Sequence, residues 1–92
     1  MRLRLTRTAA SQLDRLLTEI AQHRPSGAHN VQACIRASMR LLLQYPHAGQ
    51  ATERPFVRRL VVSPYPYVLT HRVTDDEIVI RTVRHTGRRP LP

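Results

Sequence analysis

The spacing of the apolar residues changes once along this chain, and that change limits the folds it can adopt. Leu13, Leu16 and Ile20 are three or four residues apart, as on one face of a helix. The same spacing returns at Val31 and Ile35. After residue 56 it gives way to short runs of β-forming residues, which turn residues separate. The chain is therefore predicted to form two helices followed by a group of strands.

Local signals mark where the two helices begin and end. Thr6 or Thr8 is predicted to cap the first helix, because a threonine hydroxyl can accept a free backbone N–H. The sequence Arg-Pro-Ser-Gly at 24–27 interrupts the helical pattern, since a residue before proline disfavours the helical conformation. Ser26 is predicted to cap the second helix, which ends at the Tyr-Pro pair at 45–46. Because the linker is so short, the helices should form an antiparallel hairpin.

Four segments are predicted to be strands, namely residues 1–6, 57–62, 67–73 and 77–84. Residues 47–55 lack periodicity and are predicted to be a loop. Short connections between the last three strands favour antiparallel pairing. The predicted fold is α+β with the order β-α-α-β-β-β. Its N-terminal strand and antiparallel helix hairpin pack on one face of a mainly antiparallel four-stranded sheet.

Length and cysteine content limit the organisation further. The 92 residues are expected to form a single domain, 1–92, whose last residues, 86–92, are a basic tail. Cys34 is the only cysteine, so an internal disulfide is excluded and a reducing compartment is indicated. No apolar stretch is long enough for a signal peptide or a membrane span. We therefore expect a cytoplasmic protein with no membrane contact.

The net charge of +9 implies an anionic partner. All 15 fixed positive side chains are arginines, whose planar guanidinium groups suit phosphate and carboxylate. Nucleic acid, an acidic protein and a lipid surface are the candidate partners. A GC-rich coding bias toward arginine is the alternative explanation. The five histidines show no zinc-ligand spacing, so we predict no metal and no cofactor.

Alternation along the predicted strands assigns their side chains to two faces. If Arg81 points away from the helices, then Ile78, Ile80 and Thr82 point toward them. The opposite face then holds these residues: Val68, Thr70, Arg72, Val79, Val83 and His85. Exposed valines among charged residues predict a surface that a partner covers. The alternative is a sheet whose second face is partly buried by the C-terminal tail.

The order and spacing of several segments together resemble a known family. The segments are LLLQYP at 41–46, VRRLVV at 57–62, YVLTHRV at 67–73, IVIRTV at 78–83 and HTGRR at 85–89. This combination resembles the RelE/ParE superfamily of bacterial toxins from type II toxin–antitoxin, or plasmid-stabilisation, modules. The resemblance covers nearly the whole chain, and it rests on the order of the segments because no single motif is specific. It implies the same β-α-α-β-β-β fold and a toxin that arrests growth.

One branch of this superfamily consists of RelE-like mRNA endonucleases, which depend on the ribosome and block translation. Their chemistry needs cationic groups to stabilise the charge that builds on the scissile phosphate, and a group that moves a proton. In that branch a Tyr-Arg pair opens the middle strand, whereas this chain has Tyr67 followed by Val68. If the chain is nevertheless a nuclease, the groups expected to act are Arg58, Arg81 and His85.

The other branch consists of ParE-like toxins, which poison DNA gyrase by trapping its cleaved-DNA complex and so block DNA replication. The HTGRR run resembles the His-Gly-Arg-Arg ending of that branch, with Thr86 as an extra residue. Together with Val68 in place of an arginine, it favours a gyrase inhibitor that is not an enzyme. A basic nucleic-acid-binding module without toxicity is a third hypothesis. The predicted inhibitory surface comprises Arg81, Arg84, His85, Arg88 and Arg89.

The resemblance also implies a cognate antitoxin that forms a hetero-oligomer with the toxin. This ParD-like partner is expected to bind operator DNA through its N-terminal part, so the toxin would contact the operator only through it. Its C-terminal segment is expected to be acidic and amphipathic, because it must meet arginines and cover exposed valines. The predicted antitoxin contacts are Arg36, Arg40, Val68, Arg72, Val79 and Val83.

Overall fold

The computed structural model describes residues 1–86 and has two helices on one side of a five-stranded sheet. The elements are β1 (Arg2–Leu5), α1 (Arg7–His23), α2 (Pro25–Gln44), β2 (Gln50–Ala51), β3 (Val57–Val61), β4 (Tyr67–Val73) and β5 (Glu77–His85). The strand order across the sheet is β1-β5-β4-β3-β2. Within residues 1–86, β1 and β5 run parallel and the other neighbouring strands are antiparallel. The predicted α+β class is confirmed.

The helix hairpin forms as the sequence predicted, except at the start of α2. Thr6 caps α1, because its hydroxyl accepts the backbone N–H of Ala9 at 3.0 Å. The predicted Ser26 cap is wrong, since α2 begins one residue earlier, at Pro25. Proline fits the first turn of a helix because its missing N–H is not needed there. One residue, Arg24, therefore ends α1 and precedes α2, and its side chain makes no capping bond.

The sheet has five strands rather than the predicted four, because part of the predicted 47–55 loop pairs with β3. Gln50 lies opposite Arg59 in this short strand, and Ala51 lies opposite Arg58. Gly49 precedes the strand with a φ of +90°, and a Cβ there would lie 2.1 Å from the carbonyl oxygen of Arg59. Glycine is thus required at this position. Two residues are too few for an alternating pattern, so β2 could not be predicted from the sequence.

The hydrophobic core lies between the helices and one face of the sheet. Ile35 and Leu42 of α2 are buried against Leu69 of β4 and Ile78 and Ile80 of β5. Ala9 and Val31 complete the helical side of this cluster. The predictions that Leu69, Ile78 and Ile80 face the helices are confirmed, and this packing fixes which side of each strand remains outside.

A β-bulge reverses the predicted faces at the end of β5. Thr70 pairs with Thr82, whereas the next residue, His71, pairs with Ile80, so that Arg81 is an extra residue in β5. The alternation therefore shifts by one after Ile80. Val83 belongs to the core cluster and is only 4% exposed, so the prediction that it lies on the open face is wrong. The alternation predicts that Thr82 faces the core, and this prediction is also wrong: Thr82 lies with Thr70 on the other side of the sheet.

Candidate functional site

The face of the sheet opposite the helices, which we call the open face, carries arginines in cross-strand rows. Arg59 of β3, Thr70 of β4 and Thr82 of β5 lie opposite one another in the central row. Val68 pairs with Arg84 in the next row. The bulge at Arg81 lets two successive side chains point to the same side, so that Thr82 and Arg84 join Arg81 on this face. The result is a concentration of guanidinium groups around a small polar centre.

A groove of about 540 Å³ runs over the open face. Arg54 and Glu53 come from the segment before β3, and the three neighbouring strands supply the floor. Four arginines therefore face one carboxylate. The lining residues are Thr52, Glu53, Arg54, Val57, Arg59, Val68, Thr70, Arg81, Thr82 and Arg84. Such a groove attracts anions, because guanidinium groups form strong charge-assisted hydrogen bonds with phosphate and carboxylate.

The centre of the groove holds a pair of hydroxyl groups. The Oγ1 atoms of Thr70 and Thr82 lie 2.5 Å apart and form one hydrogen bond. Two hydroxyl groups carry two protons, and only one is needed for this bond. Neither hydroxyl has another partner among residues 1–86. The second proton is thus available to a ligand that accepts a hydrogen bond.

A second depression, of about 330 Å³, adjoins the groove near the turn before β3. Phe56 lies at its edge, together with Arg54, Arg72 and Arg81. The Phe56 side chain is 72% exposed. The backbone of Phe56 has a φ of +66°, in the left-handed region that non-glycine residues seldom adopt. An exposed aromatic ring is thus held in a strained conformation beside three arginines.

The three residues predicted to act in a nuclease do not meet at one site. Arg81 lies on the open face. Arg58 donates a hydrogen bond from Nη2 to the carbonyl oxygen of Gly49 at 3.0 Å, and its β-partner is the buried His71. His85 packs edge-to-face on Tyr67, with 5.4 Å between the ring centroids, in a pocket that α1 also lines. His85 and Arg81 are therefore on opposite sides of the sheet.

One histidine that the sequence did not single out is fully buried. The His71 Nε2–H donates to the carbonyl oxygen of Pro46 at 3.2 Å, whereas Nδ1 has no partner among residues 1–86. Burial lowers the pKa of His71 below its ordinary value of 6.5, because a charged ring would be poorly solvated. The bond to Pro46 opposes this shift, and the positive charges of Arg58 and His47 add to it. This ring connects β4 to the segment after α2 and is not part of the open face.

The residues predicted to bind an antitoxin lie in three different environments. Arg36 and Arg40 are exposed on α2, and Arg72 is exposed on β4. Val68 and Val79 lie on the side of the sheet away from the core, but only 6% and 8% of their surfaces are exposed. The prediction that these two valines form an exposed apolar surface is wrong, because neighbouring side chains cover them. Val83 is in the core, as described above.

The residues predicted to inhibit gyrase are also divided. Arg81 and Arg84 line the groove on the open face, and His85 lies on the side of α1. Arg88 and Arg89 lie outside the described residues. The groove also contains Arg54 and Arg59, which the sequence analysis missed. Arg59 could have been predicted on this face, because it precedes the partly buried Leu60 and neighbouring side chains of a strand point to opposite sides.

Two negative findings concern the described part of the chain. Within residues 1–86, no three His, Cys, Asp or Glu side chains are grouped so that they could hold a metal ion. Neither helix is both long and apolar enough to cross a membrane.

Comparison with known proteins identifies the family. A sequence model described as "ParE toxin of type II toxin-antitoxin system, parDE" matches residues 3–90. The protein named "Putative toxin Y4kP" from Sinorhizobium fredii is 32% identical over 84 residues, which cover 91% of this chain and 86% of that protein. A solved structure titled "Chromosomal ParDE TA system from P. aeruginosa" superposes with a TM-score of 0.81 at 28% identity. This superposition covers 95% of this chain and 97% of the other.

The fold is thus that of a small bacterial toxin with a helix hairpin on one side of its sheet. The chain belongs to the ParE toxin family of type II toxin–antitoxin systems.

Proposed function

We propose that this ParE-family toxin inhibits DNA gyrase and that a cognate antitoxin neutralises it. The observation that carries the proposal is the match of residues 3–90 to the ParE family. By the resemblance described above, ParE-like toxins are the branch that poisons gyrase. Val68 supports it, because this valine stands where the nuclease branch has an arginine. The toxin then acts by binding to gyrase, and its own side chains break no covalent bond.

The geometry argues against the RelE-like nuclease alternative. In-line cleavage needs a proton-transfer group and charge-stabilising groups within hydrogen-bond reach of the same phosphate. Arg81 and His85 lie on opposite sides of the sheet, and Arg58 is engaged with Gly49. These residues therefore cannot hold one phosphate together in this arrangement.

For the inhibitory surface we propose Arg81 and Arg84 on the open face, with Arg88 and Arg89, which lie outside the described residues, as further candidates; His85 lies on the other side of the sheet. Arg84 is exposed, and its neighbour across the strand pair is the nearly buried Val68. The arginines therefore project from a rigid strand, not from a loop. A rigid support favours binding because less conformational freedom is lost when a partner is bound.

For the antitoxin we propose an acidic, amphipathic segment that lies on α2 and continues to Arg72, near the end of the central strand β4 on the opposite side of the sheet. Arg36, Arg40 and Leu43 are exposed at helical spacing, and Leu41 is exposed beside them. They offer both charge and apolar surface. The Pseudomonas aeruginosa structure is titled as a ParDE system, which supports a paired antitoxin for this chain. We propose that the pair is a cytoplasmic hetero-oligomer and that the antitoxin alone contacts operator DNA.

The antitoxin proposal is tested by isothermal titration of this chain with the product of the neighbouring gene. We expect tight binding at moderate salt and weaker binding by Arg36→Gln/Arg40→Gln. Exposed arginines on α1 give the matched control, Arg7→Gln/Arg15→Gln, which should bind like the unaltered chain. No binding, or equal weakening in both double variants, would show that this partner or this surface is wrong.

The gyrase proposal is tested with antitoxin-free protein, purified gyrase, ATP and supercoiled plasmid. After digestion of the protein, trapped cleavage complexes appear as linear DNA. We expect linear DNA to accumulate with toxin concentration and to disappear when the antitoxin is added first. If no linear DNA forms while the same protein still arrests growth, the target is not gyrase, and cleavage of translated mRNA becomes the assay to perform.

A further inference from the structure

Within residues 1–86, the arginines of the groove outnumber the carboxylates that line it, because Glu53 is the one acidic side chain there. The side chains of Arg54, Arg59, Arg81 and Arg84 form no ion pair or hydrogen bond with any residue in 1–86. In contrast, Arg4 is paired with Glu77 at 3.2 Å. Four unpaired guanidinium groups around one groove repel one another, and an anionic ligand with several charges relieves that repulsion.

The hydroxyl pair of Thr70 and Thr82 lies in the same groove and offers one proton to a ligand. A neutral donor surrounded by guanidinium groups matches a phosphate, whose oxygens accept several hydrogen bonds in different directions. The two Thr residues are fixed by the central strands, so this donor is preorganised.

Phe56 adds an aromatic surface at the edge of the arginines. Its ring is 72% exposed, and the left-handed backbone at this residue carries an energetic cost. An exposed ring beside cationic side chains is the combination by which proteins bind nucleic acids with unpaired bases: the bases stack on the ring and the cations follow the backbone.

We propose that the open face binds single-stranded DNA, with phosphates in the groove between Arg59, Arg81 and Arg84 and a base stacked on Phe56. The choice of DNA over RNA rests on the proposed function, since gyrase acts on DNA. A groove of about 540 Å³ that adjoins a depression with one stacking residue, Phe56, suits an unpaired strand and not a rigid duplex.

An acidic peptide fits this groove less well than a nucleic acid strand. Val57 and Val68, the two valines that line the groove, are nearly buried, so the groove itself offers little apolar surface to an amphipathic segment; the exposed Phe56 and Val61 lie outside its lining. The exposed Leu41 and Leu43 of α2 offer that surface instead. The groove is therefore a site for phosphates, and the antitoxin surface proposed on α2 meets it only at Arg72, in the adjoining depression.

The test is direct binding of the full chain to a fluorescently labelled single-stranded DNA 12-mer, followed by anisotropy over a range of salt concentrations. We expect Arg59→Gln/Arg81→Gln/Arg84→Gln to weaken binding at least tenfold. Loss of three phosphate contacts should also lower the slope of log affinity against log salt by about 2. Phe56→Ala should weaken binding about tenfold, because base stacking is lost, and Phe56→Tyr should restore it.

The matched control is Arg7→Gln/Arg15→Gln/Arg24→Gln, which removes the same charge from exposed positions on and beside the helices. It should weaken binding less than threefold, and circular dichroism with thermal melting verifies that every variant is folded. Equal weakening by both triple variants would overturn the proposal. The proposal would also be overturned if the chain bound RNA, double-stranded DNA or poly-glutamate more tightly than it binds the single-stranded DNA. Since gyrase is absent from this assay, its outcome is independent of whether gyrase is the target.

Discussion

The two faces of the central strands differ in chemistry although they share the same backbone. The covered face packs Leu69, Ile78, Ile80 and Val83 against the helices. The open face presents arginines and paired threonine hydroxyls, and its valines other than Val61 are almost fully covered. The difference shows that alternate residues of one strand can be devoted to stability and to binding, so substitutions on the two faces should affect different measurements.

The bulge at Arg81 gives the largest expected effect, because it decides which face Val83 occupies. Val83→Asp places a carboxylate in the core and should lower the free energy of unfolding by at least about 3 kcal/mol. Val61→Asp is the control, since Val61 is exposed at the end of β3, and it should change stability little. Urea denaturation followed by circular dichroism measures both. Equal stability of the two variants would place Val83 on the open face after all.

The next largest effect on the free energy of unfolding is expected from substitutions at two adjacent residues of β4, which lie on opposite faces of the sheet. Leu69→Ala removes a fully buried core side chain and should cost about 3 kcal/mol. Val68→Ala removes a smaller side chain from the open face and should cost about 1.5 kcal/mol. The same denaturation experiment measures both values. A larger loss for Val68→Ala than for Leu69→Ala would mean that the open face contributes more to stability than the packing indicates.

The buried His71 makes the covered face sensitive to pH. Its pKa is lower in the folded chain than in the unfolded chain, so the unfolded chain binds a proton more readily. The stability that this adds is present above pH 6.5 and is lost as the pH falls through the folded-state pKa. The free energy of unfolding should therefore decrease between pH 7.5 and 5.5. His71→Gln should reduce this decrease and the exposed His29→Gln should not; the opposite pattern would contradict the assignment.

The smallest effect is expected for the ion pair between Arg4 and Glu77. Arg4 is exposed, so water and salt screen the attraction. Arg4→Gln should lower the free energy of unfolding by less than about 0.5 kcal/mol. Thermal melting at low and high salt measures it. A loss above about 1 kcal/mol would show that charges outside the core stabilise the fold more than the comparison of the two faces allows.

The alternating pattern predicted most of the sheet and failed at one identifiable place. Ile78 and Ile80 were assigned correctly because period-two alternation, counted back from an outward-facing Arg81, turns both toward the helices. Beyond it, the step from Ile80 to Val83 is three residues, and a polar Thr82 occupies the expected core position. That combination was the available sign of a bulge. The two-residue β2 left no such sign, because it is held by backbone pairing beside Gly49.

The candidate site was predicted only in part, for a similar reason. Charge indicated an arginine-rich face, and Arg81 and Arg72 were assigned to it. The groove also needs Arg54 and Arg59, which come from the segment before β3 and from β3 itself. Only the tertiary pairing of β3 with β4 brings them beside Arg81. The exposure of Phe56 likewise depends on its left-handed backbone, which no local pattern announced.

The central claim is that this toxin inhibits gyrase through its open face. The most direct test measures gyrase-dependent linear DNA for the unaltered chain, for Arg81→Gln/Arg84→Gln and for Arg7→Gln/Arg15→Gln, each shown to be folded. We predict that the unaltered chain and the helix variant produce linear DNA equally, and that the open-face variant produces far less. Linear DNA at full level from the open-face variant, or none from the unaltered chain, would contradict the claim.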